Sequence, residues 1–437
     1  MNTNAATVPA TSHPALDQAP EIAAVSATLD TPFTLATGTV IKNRLFKSAM
    51  SEQLGDRQHN PTPGLANLYR RWALGGIGLM MSGNIMIDRN ALGEPKNVVL
   101  DEASDLDTFR EWAAAGTEHG AQLWAQLNHP GKQIPNFISK QPVAPSAIAL
   151  KRGLEKGFNR PRALSEAEIE AIIERFANAA GLAKQAGFTG VQIHGAHGYL
   201  VSQFLSPGHN QRKDRWGGSL ENRMRFVVEV YRAIRATVGN QFPVGIKLNS
   251  ADFMKGGFSE EESMQVVQRL SEEGIDLIEI SGGTYESPAM VGRGDKSDAA
   301  KASTVKREAY FLDYAEAVRQ HTTTALVVTG GFRSASGMTA ALQSGACDFI
   351  GLARPLAVDP DLPNSVIQNS DYEISLRPLT TGVKAVDRMA MLDITWYEFQ
   401  LARMANKKSP NPQMSEWMAF AKTMAGAGIY AFRKRRA

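Results

Sequence analysis

The chain has a single cysteine, Cys347, among 437 residues. One thiol cannot close a disulfide within the chain and cannot hold an iron–sulfur cluster, which takes several thiolates. So little cysteine fits a reducing compartment, and the expected location is the cytoplasm. No apolar run approaches the ~18 residues that suggest a bilayer-crossing helix, so no membrane span is expected. An excess of one charge is missing too: 47 Lys and Arg stand against 44 Asp and Glu, a net of +3. That balance offers no broad basic face to a phosphate backbone, and no nucleic-acid partner is expected. The GxGxxG dinucleotide fingerprint, the P-loop and the GxSxG nucleophile elbow are all absent, and so is HExxH.

What is present has a clear rhythm. Short apolar runs alternate with helical segments from about Phe33 to Pro363, the pattern of a parallel sheet flanked by helices. Eight candidate strands follow in order: Leu45–Ser48, Ile77–Met81, Ala121–Ala125, Gly190–Ile193, Val244–Leu248, Leu277–Ile280, Ala325–Val328 and Phe349–Gly351. Ser165 with Glu168 forms a capping box that opens a helix running to Gln185, with Gly187 beyond it. Ser259 with Glu262 opens a second helix, ended by Gly274, and Ser334 precedes a third, ended by Gly345. Eight such units over about 330 residues predict an α/β fold, a (β/α)8 TIM barrel. An open doubly wound sheet is the alternative. Pro32–Leu35 and Gly38–Ile41 are expected to pair as a hairpin below the first strand.

The flanks differ. Residues 1–30, rich in Ala, Thr, Ser and Pro, lack the basic start and apolar stretch of a secretion signal and read as a disordered or loosely held leader. Residues 31–370 form the expected barrel. Residues 371–437 fit no further βα unit. Trp396–Leu401 and Trp417–Phe420, both at helical spacing, predict a C-terminal helical extension packed on the barrel. The terminal Arg433–Arg436 charges read as solvated.

Chemistry concentrates in His194-Gly195-Ala196-His197-Gly198-Tyr199, where a barrel-type strand gives way to a loop. Two imidazoles can donate to a carbonyl or phenolate oxygen, and a phenol can deliver a proton. The same histidines could instead be core residues or half of a metal site, which would need further ligands such as Asp252. A phosphate position is suggested by Val328-Thr329-Gly330-Gly331-Phe332 and Gly351-Leu352-Ala353-Arg354-Pro355. Barrels commonly bind phosphate in the loops after strands seven and eight, where glycine admits backbone N–H groups and Arg354 adds a forked cation. Lys247, in an otherwise apolar strand, needs a partner. Glu279 and Asp252 are the candidate acids, and a bound cofactor is the other option.

The run Leu200–Pro207, continued by Asn210–Arg223, resembles the signature of the Old Yellow Enzyme family of FMN-dependent ene-reductases. Gly190–Pro207 and Thr304–Phe311 most resemble its single-domain, 2,4-dienoyl-CoA-reductase-like branch. The resemblance spans roughly residues 33–365 and implies FMN as cofactor, with NADH or NADPH as reductant in the same pocket. It assigns the flavin to Ser48, Ala49, Met50, Ser51, Asn84, Gln126 and Lys247, and the phosphate to Gly330, Gly331, Ala353 and Arg354. Ser51 stands where members commonly carry Thr or Cys, and Asn84 where many carry a small residue. His194 and His197 would bond the carbonyl oxygen of an activated alkene, and Tyr199 would protonate its α-carbon. Asp214–Arg223 is expected to order its loop by ion pairs and glycine turns. A flavin dehydrogenase or demethylase passing electrons to another acceptor, a metal-dependent barrel hydrolase and a catalytically silent barrel remain as competing readings. No resident metal is expected, and a homo-oligomer is left open.

Overall fold

The structure, a computed structural model, describes residues 27–151, 153–283, 286 and 311–433. The leader through residue 26, the Thr304–Tyr310 stretch and the last four residues lie outside the described residues.

Eight parallel strands close on themselves. They are β1 (Leu45–Lys47), β2 (Leu79–Met86), β3 (Gln122–Asn128), β4 (Gly190–Gly195), β5 (Val244–Asn249), β6 (Leu277–Ser281), β7 (Ala325–Thr329) and β8 (Phe349–Leu352). Each pairs with its neighbour in sequence, and β8 returns to β1 through Ile350↔Leu45, Gly351↔Phe46 and Leu352↔Lys47. The fold is the expected TIM barrel, not an open sheet. Buried on both faces, parallel strands read as continuous apolar runs. Several run past the apolar residues that announce them. Strand β2 continues to Met86 and β3 to Asn128, so Asn84 and Gln126 sit inside strands as register partners. The β2–β3 register shifts between Met81 and Asn84. At this bulge Gly83 approaches so closely that a Cβ would stand 2.7 Å from the Met50 carbonyl.

Helices fill the crossovers. They are α1 (Pro63–Leu74), α2 (Leu106–Gly116), α3 (Glu166–Gln185), α4 (Leu220–Val238), α5 (Glu260–Glu272), α6 (Leu312–Arg319), α7 (Ala335–Gln343) and α8 (Leu362–Gln368). The three predicted caps form. Ser165 makes a full capping box with Glu168, and Ser259 and Ser334 accept from the amides of Glu262 and Gly337.

Inside the barrel the composition changes along its axis. Phe46, Leu79, Met81, Trp124, Leu277, Val327 and Phe349 form one apolar cluster, sealed by Leu35 and Ile41 of the predicted hairpin, which pairs Phe33–Thr34 with Val40–Ile41. Trp124 has room because Gly190 and Gly245 face it: a Cβ there would come within 2.5 and 3.0 Å of its ring. Two residues further along β1, β3, β6 and β7, towards the carboxyl ends, stand the polar Ser48, Gln126, Glu279 and Thr329.

After the barrel come α9 (Lys384–Ala390), α10 (Leu392–Ala405) and α11 (Glu416–Arg433). Helix α10 lies against α1, where the Asn67 amide donates to the Ala405 carbonyl at 3.1 Å. Its buried Trp396 donates to the Met414 carbonyl.

Candidate active site

The polar side chains at the carboxyl ends form one buried network. Gln126 donates to Gln192 at 2.7 Å, and Gln192 donates to Glu279 at 2.9 Å. Thr329 donates to the other Glu279 oxygen at 2.9 Å, and Lys247 lies 3.0 Å from that same oxygen. The Ser48 and Thr329 hydroxyls are 2.8 Å apart, which carries the network to β1. The pairing follows from register, since Lys247 sits opposite Glu279 on one side and His194 on the other. Of the two candidate acids for Lys247, Glu279 is therefore the partner. Asp252 instead accepts from the Phe258 amide.

Three rings meet at His194, the register partner of Lys247. His194 lies 4.8 Å from Tyr199 and 5.1 Å from His197 between ring centroids, both near perpendicular. Strand β4 continues to Gly195, so His194 belongs to the strand itself. His197 follows in the left-handed region, with φ 61°. Its amide donates to Asn249 and its Nε2 lies 2.8 Å from the Ser281 hydroxyl. The Ala196 amide donates to His194 Nδ1, which leaves the His194 proton on Nε2. Burial holds both imidazoles well below their ordinary pKa. For His194 the neighbouring His197 and Lys247 add to this, and for His197 the Lys247 charge does. Both rings are thus neutral and able to donate one hydrogen bond each. Lys132, sequence-silent in this respect, is buried nearby on the loop after β3 and contacts His209 at 2.9 Å.

The two glycine loops line one hollow with Thr329, Gly330, Gly331, Phe332, Arg333, Gly351, Leu352, Ala353, Arg354 and Pro355 around it. Gly330 and Gly331 hold φ of 112° and 99°, which only glycine adopts at low cost. Arg333 adds a second guanidinium that the sequence pattern did not single out. The Ser48 amide donates to the Leu352 carbonyl at 2.8 Å, so the Ser48–Ser51 loop borders the same opening.

Behind that loop, Lys47 is fully buried and donates to the Met81 carbonyl and to Tyr69. Tyr69 in turn donates to Glu52. Burial pulls Lys47 down to about 8, with Glu52 opposing the shift. Asn84 has a buried side-chain oxygen with no hydrogen-bond partner. Ser51 does not stand free. Its hydroxyl is 2.8 Å from both oxygens of Glu94 and 2.9 Å from Glu398 Oε1. Neither glutamate was legible as a site residue. The expected loop order is found: Arg212 pairs with Asp214, Arg215 with Glu166 and Glu170, and Arg223 with Glu262. Among the described residues no three His, Cys, Asp or Glu side chains converge as a metal ligand set, and no helix is long and apolar enough to cross a membrane.

A family model described as the NADH:flavin oxidoreductase / NADH oxidase family matches residues 28–373. The NADH-dependent flavin oxidoreductase iliE of Hypocrea jecorina (strain QM6a) is 38% identical over 365 residues, covering 79% of this chain and 90% of that protein. Among solved structures, the old yellow enzyme homologue from Zymomonas mobilis is similar with a TM-score of 0.66 and 27% identity, over 82% of this chain and 95% of that one. Morphinone reductase is similar with a TM-score of 0.67 and 25% identity, over 81% and 92%.

Proposed function

The chain belongs to the NADH:flavin oxidoreductase / NADH oxidase family, and from that premise we propose that it is an FMN-dependent ene-reductase acting on α,β-unsaturated carbonyl compounds. The residues present fit the cofactor. The positive-φ glycines of the hollow and its two arginines suit a phosphate. The unpartnered oxygen of Asn84 suits a donor from the ring edge. Ser48, Ala49, Met50, Ser51, Gln126 and Lys247 would hold the isoalloxazine, and Gly330, Gly331, Ala353 and Arg354 the phosphate. Bound FMN supplies a hydride for the β-carbon of the substrate, drawn from NADH or NADPH.

The chain's own part is electrostatic and protonic. His194 and His197, held neutral, donate to the substrate's carbonyl oxygen and stabilise the enolate charge as it forms. Neutral donors suit this role, because a charged imidazole in so buried a place would be disfavoured. Tyr199 delivers a proton to the α-carbon. Lys247, one strand away in register, adds positive potential, tempered by Glu279.

The observation that carries the reading is the meeting of His197 and Tyr199 on His194, 5.1 and 4.8 Å from it between ring centroids. The test is the visible spectrum of purified protein, followed by anaerobic NAD(P)H and then 2-cyclohexenone. Flavin absorbance should bleach and then return. Bleaching without return would replace the ene-reductase with a flavin dehydrogenase that serves another acceptor. Protein that stays colourless after FMN is supplied would remove the flavin reading itself.

A further inference from the structure

Glu398 lies outside the stretch that the family model matches, and 347 residues along the chain from Ser51. Yet α10 brings its carboxylate to the same hydroxyl that Glu94 approaches. A hydroxyl has one proton to give. Ser51 can donate to one of these carboxyl groups and can only accept from the other. Both contacts are hydrogen bonds only when one glutamate carries a proton. The other partners indicate which. Gln53 donates to both oxygens of Glu398, at 3.0 and 3.1 Å, whereas Glu94 takes one side-chain amide, from Asn97 to Oε2 at 3.2 Å, which leaves Oε1 to carry the proton. Ser51 then donates to Glu398, and Glu94 donates to Ser51.

We propose that Glu398, delivered by the C-terminal helices, is a positioning residue of the flavin site: with Glu94 it fixes the Ser51 hydroxyl and makes the charge at that edge of the site depend on one shared proton. This rests on the reading that the site holds FMN. Two carboxyl groups at such range keep one proton between them more readily than none. Burial, then the charge of Glu398, pushes Glu94 up to about 7, and burial also raises Glu398. The charged surroundings are Glu52 with Lys47 and Tyr69 on the barrel side, and Lys96 on the Glu94 loop. On the helix side stand Asp393 and Tyr397, the latter beside Arg354, Arg333 and Arg377. When the proton leaves, a second negative charge lies next to the site and opposes electron uptake. Above about pH 7, where Glu94 has lost its proton, reduction of a bound flavin with electrons from the nicotinamide would draw one back from solvent: an O–H bond forms on Glu94 as one breaks in a hydronium ion, which becomes water.

The experiment is the midpoint potential of the FMN-loaded, full-length protein between pH 6 and 8.5, in wild type and in Glu398→Gln. Above about pH 7 the expected wild-type slope is up to twice that of the variant, because reduction there takes up a second proton. Equal slopes in two yellow proteins overturn the proposal. A second measurement needs no cofactor. Glu94 binds a proton in the fold that it releases in the unfolded chain near its ordinary value of 4.5. Stability is thus fully present below about 4.5 and is lost as pH rises through about 7. Buried histidines pull the other way over part of that window, so the readout is the difference between two curves: as pH rises from about 4.5 to 7 the wild-type apoprotein should lose melting temperature relative to Glu398→Gln. Identical pH dependence also overturns the proposal. Failure of wild type to take up FMN would defeat the flavin reading alone, since the apoprotein melting curves still decide whether the trio exists.

Discussion

Tyr199 and Lys247 both adjoin His194 and should fail differently when changed. A Tyr199→Phe substitution keeps the ring and removes the proton. We expect enone turnover to fall about 100- to 10,000-fold, the usual worth of a positioned acid, while anaerobic bleaching by NAD(P)H keeps its rate. Equal loss in both half-reactions would take the proton-donor role away from Tyr199. Lys247→Met leaves Glu279 fully buried with its charge uncompensated. Breaking a buried pair on one side costs about 3–5 kcal/mol, readable as a lower urea midpoint of the apoprotein. His194, His197 and Tyr199 were legible because they lie within six residues at a strand end. Glu94 and Glu398 were not. Nothing local distinguishes a solvated glutamate from one that folds back on a serine 43 or 347 residues away. Glu279 stood in the sequence as one of two candidates for Lys247, and strand register decided between them.

The strands and helices carry their own signals to unequal degrees. All eight strands were legible because a strand buried on both faces is apolar throughout. Their carboxyl ends were not, since polar residues interrupt the apolar run there: Ser82 and Asn84 in β2, and Gln126 and Asn128 in β3. The polarity that a buried site would need is what hides a strand end as a strand. Glycine inside strands was equally silent until Trp124 gave it a reason. Gly190→Ala puts a methyl 2.5 Å from the indole, and overpacking of this kind costs about 1–3 kcal/mol. Trp124→Leu in the same chain should recover most of that loss. A double variant no more stable than Gly190→Ala alone would mean that Gly190 serves the backbone instead of the ring.

Acid is the condition to which the whole molecule is most exposed. His129, His194, His197 and His209 are all held below the ordinary imidazole value by burial, His129 at about 4 and His209 at about 3. Unfolded histidine takes its proton near 6.5, so the unfolded chain binds protons that the fold refuses. The stability these groups contribute is present above about 6.5 and is lost as pH falls below it, by up to about 1.4 kcal/mol per pH unit for each. Denaturant midpoints at pH 6.5 and 4.5 should show the drop, and His209→Asn should lessen it. A variant curve parallel to wild type would remove His209 from the account. The closure of the barrel has a consequence in time. The hollow is made by the loops after β7 and β8, and its rim by the Ser48 loop after β1, joined through the Leu352 carbonyl. These parts stand at opposite ends of the barrel's span in the chain, so the site does not exist on the ribosome until the last strand has emerged. Flavin loading is therefore a late event in the life of each molecule, and nascent chains stalled before residue 349 should come away colourless.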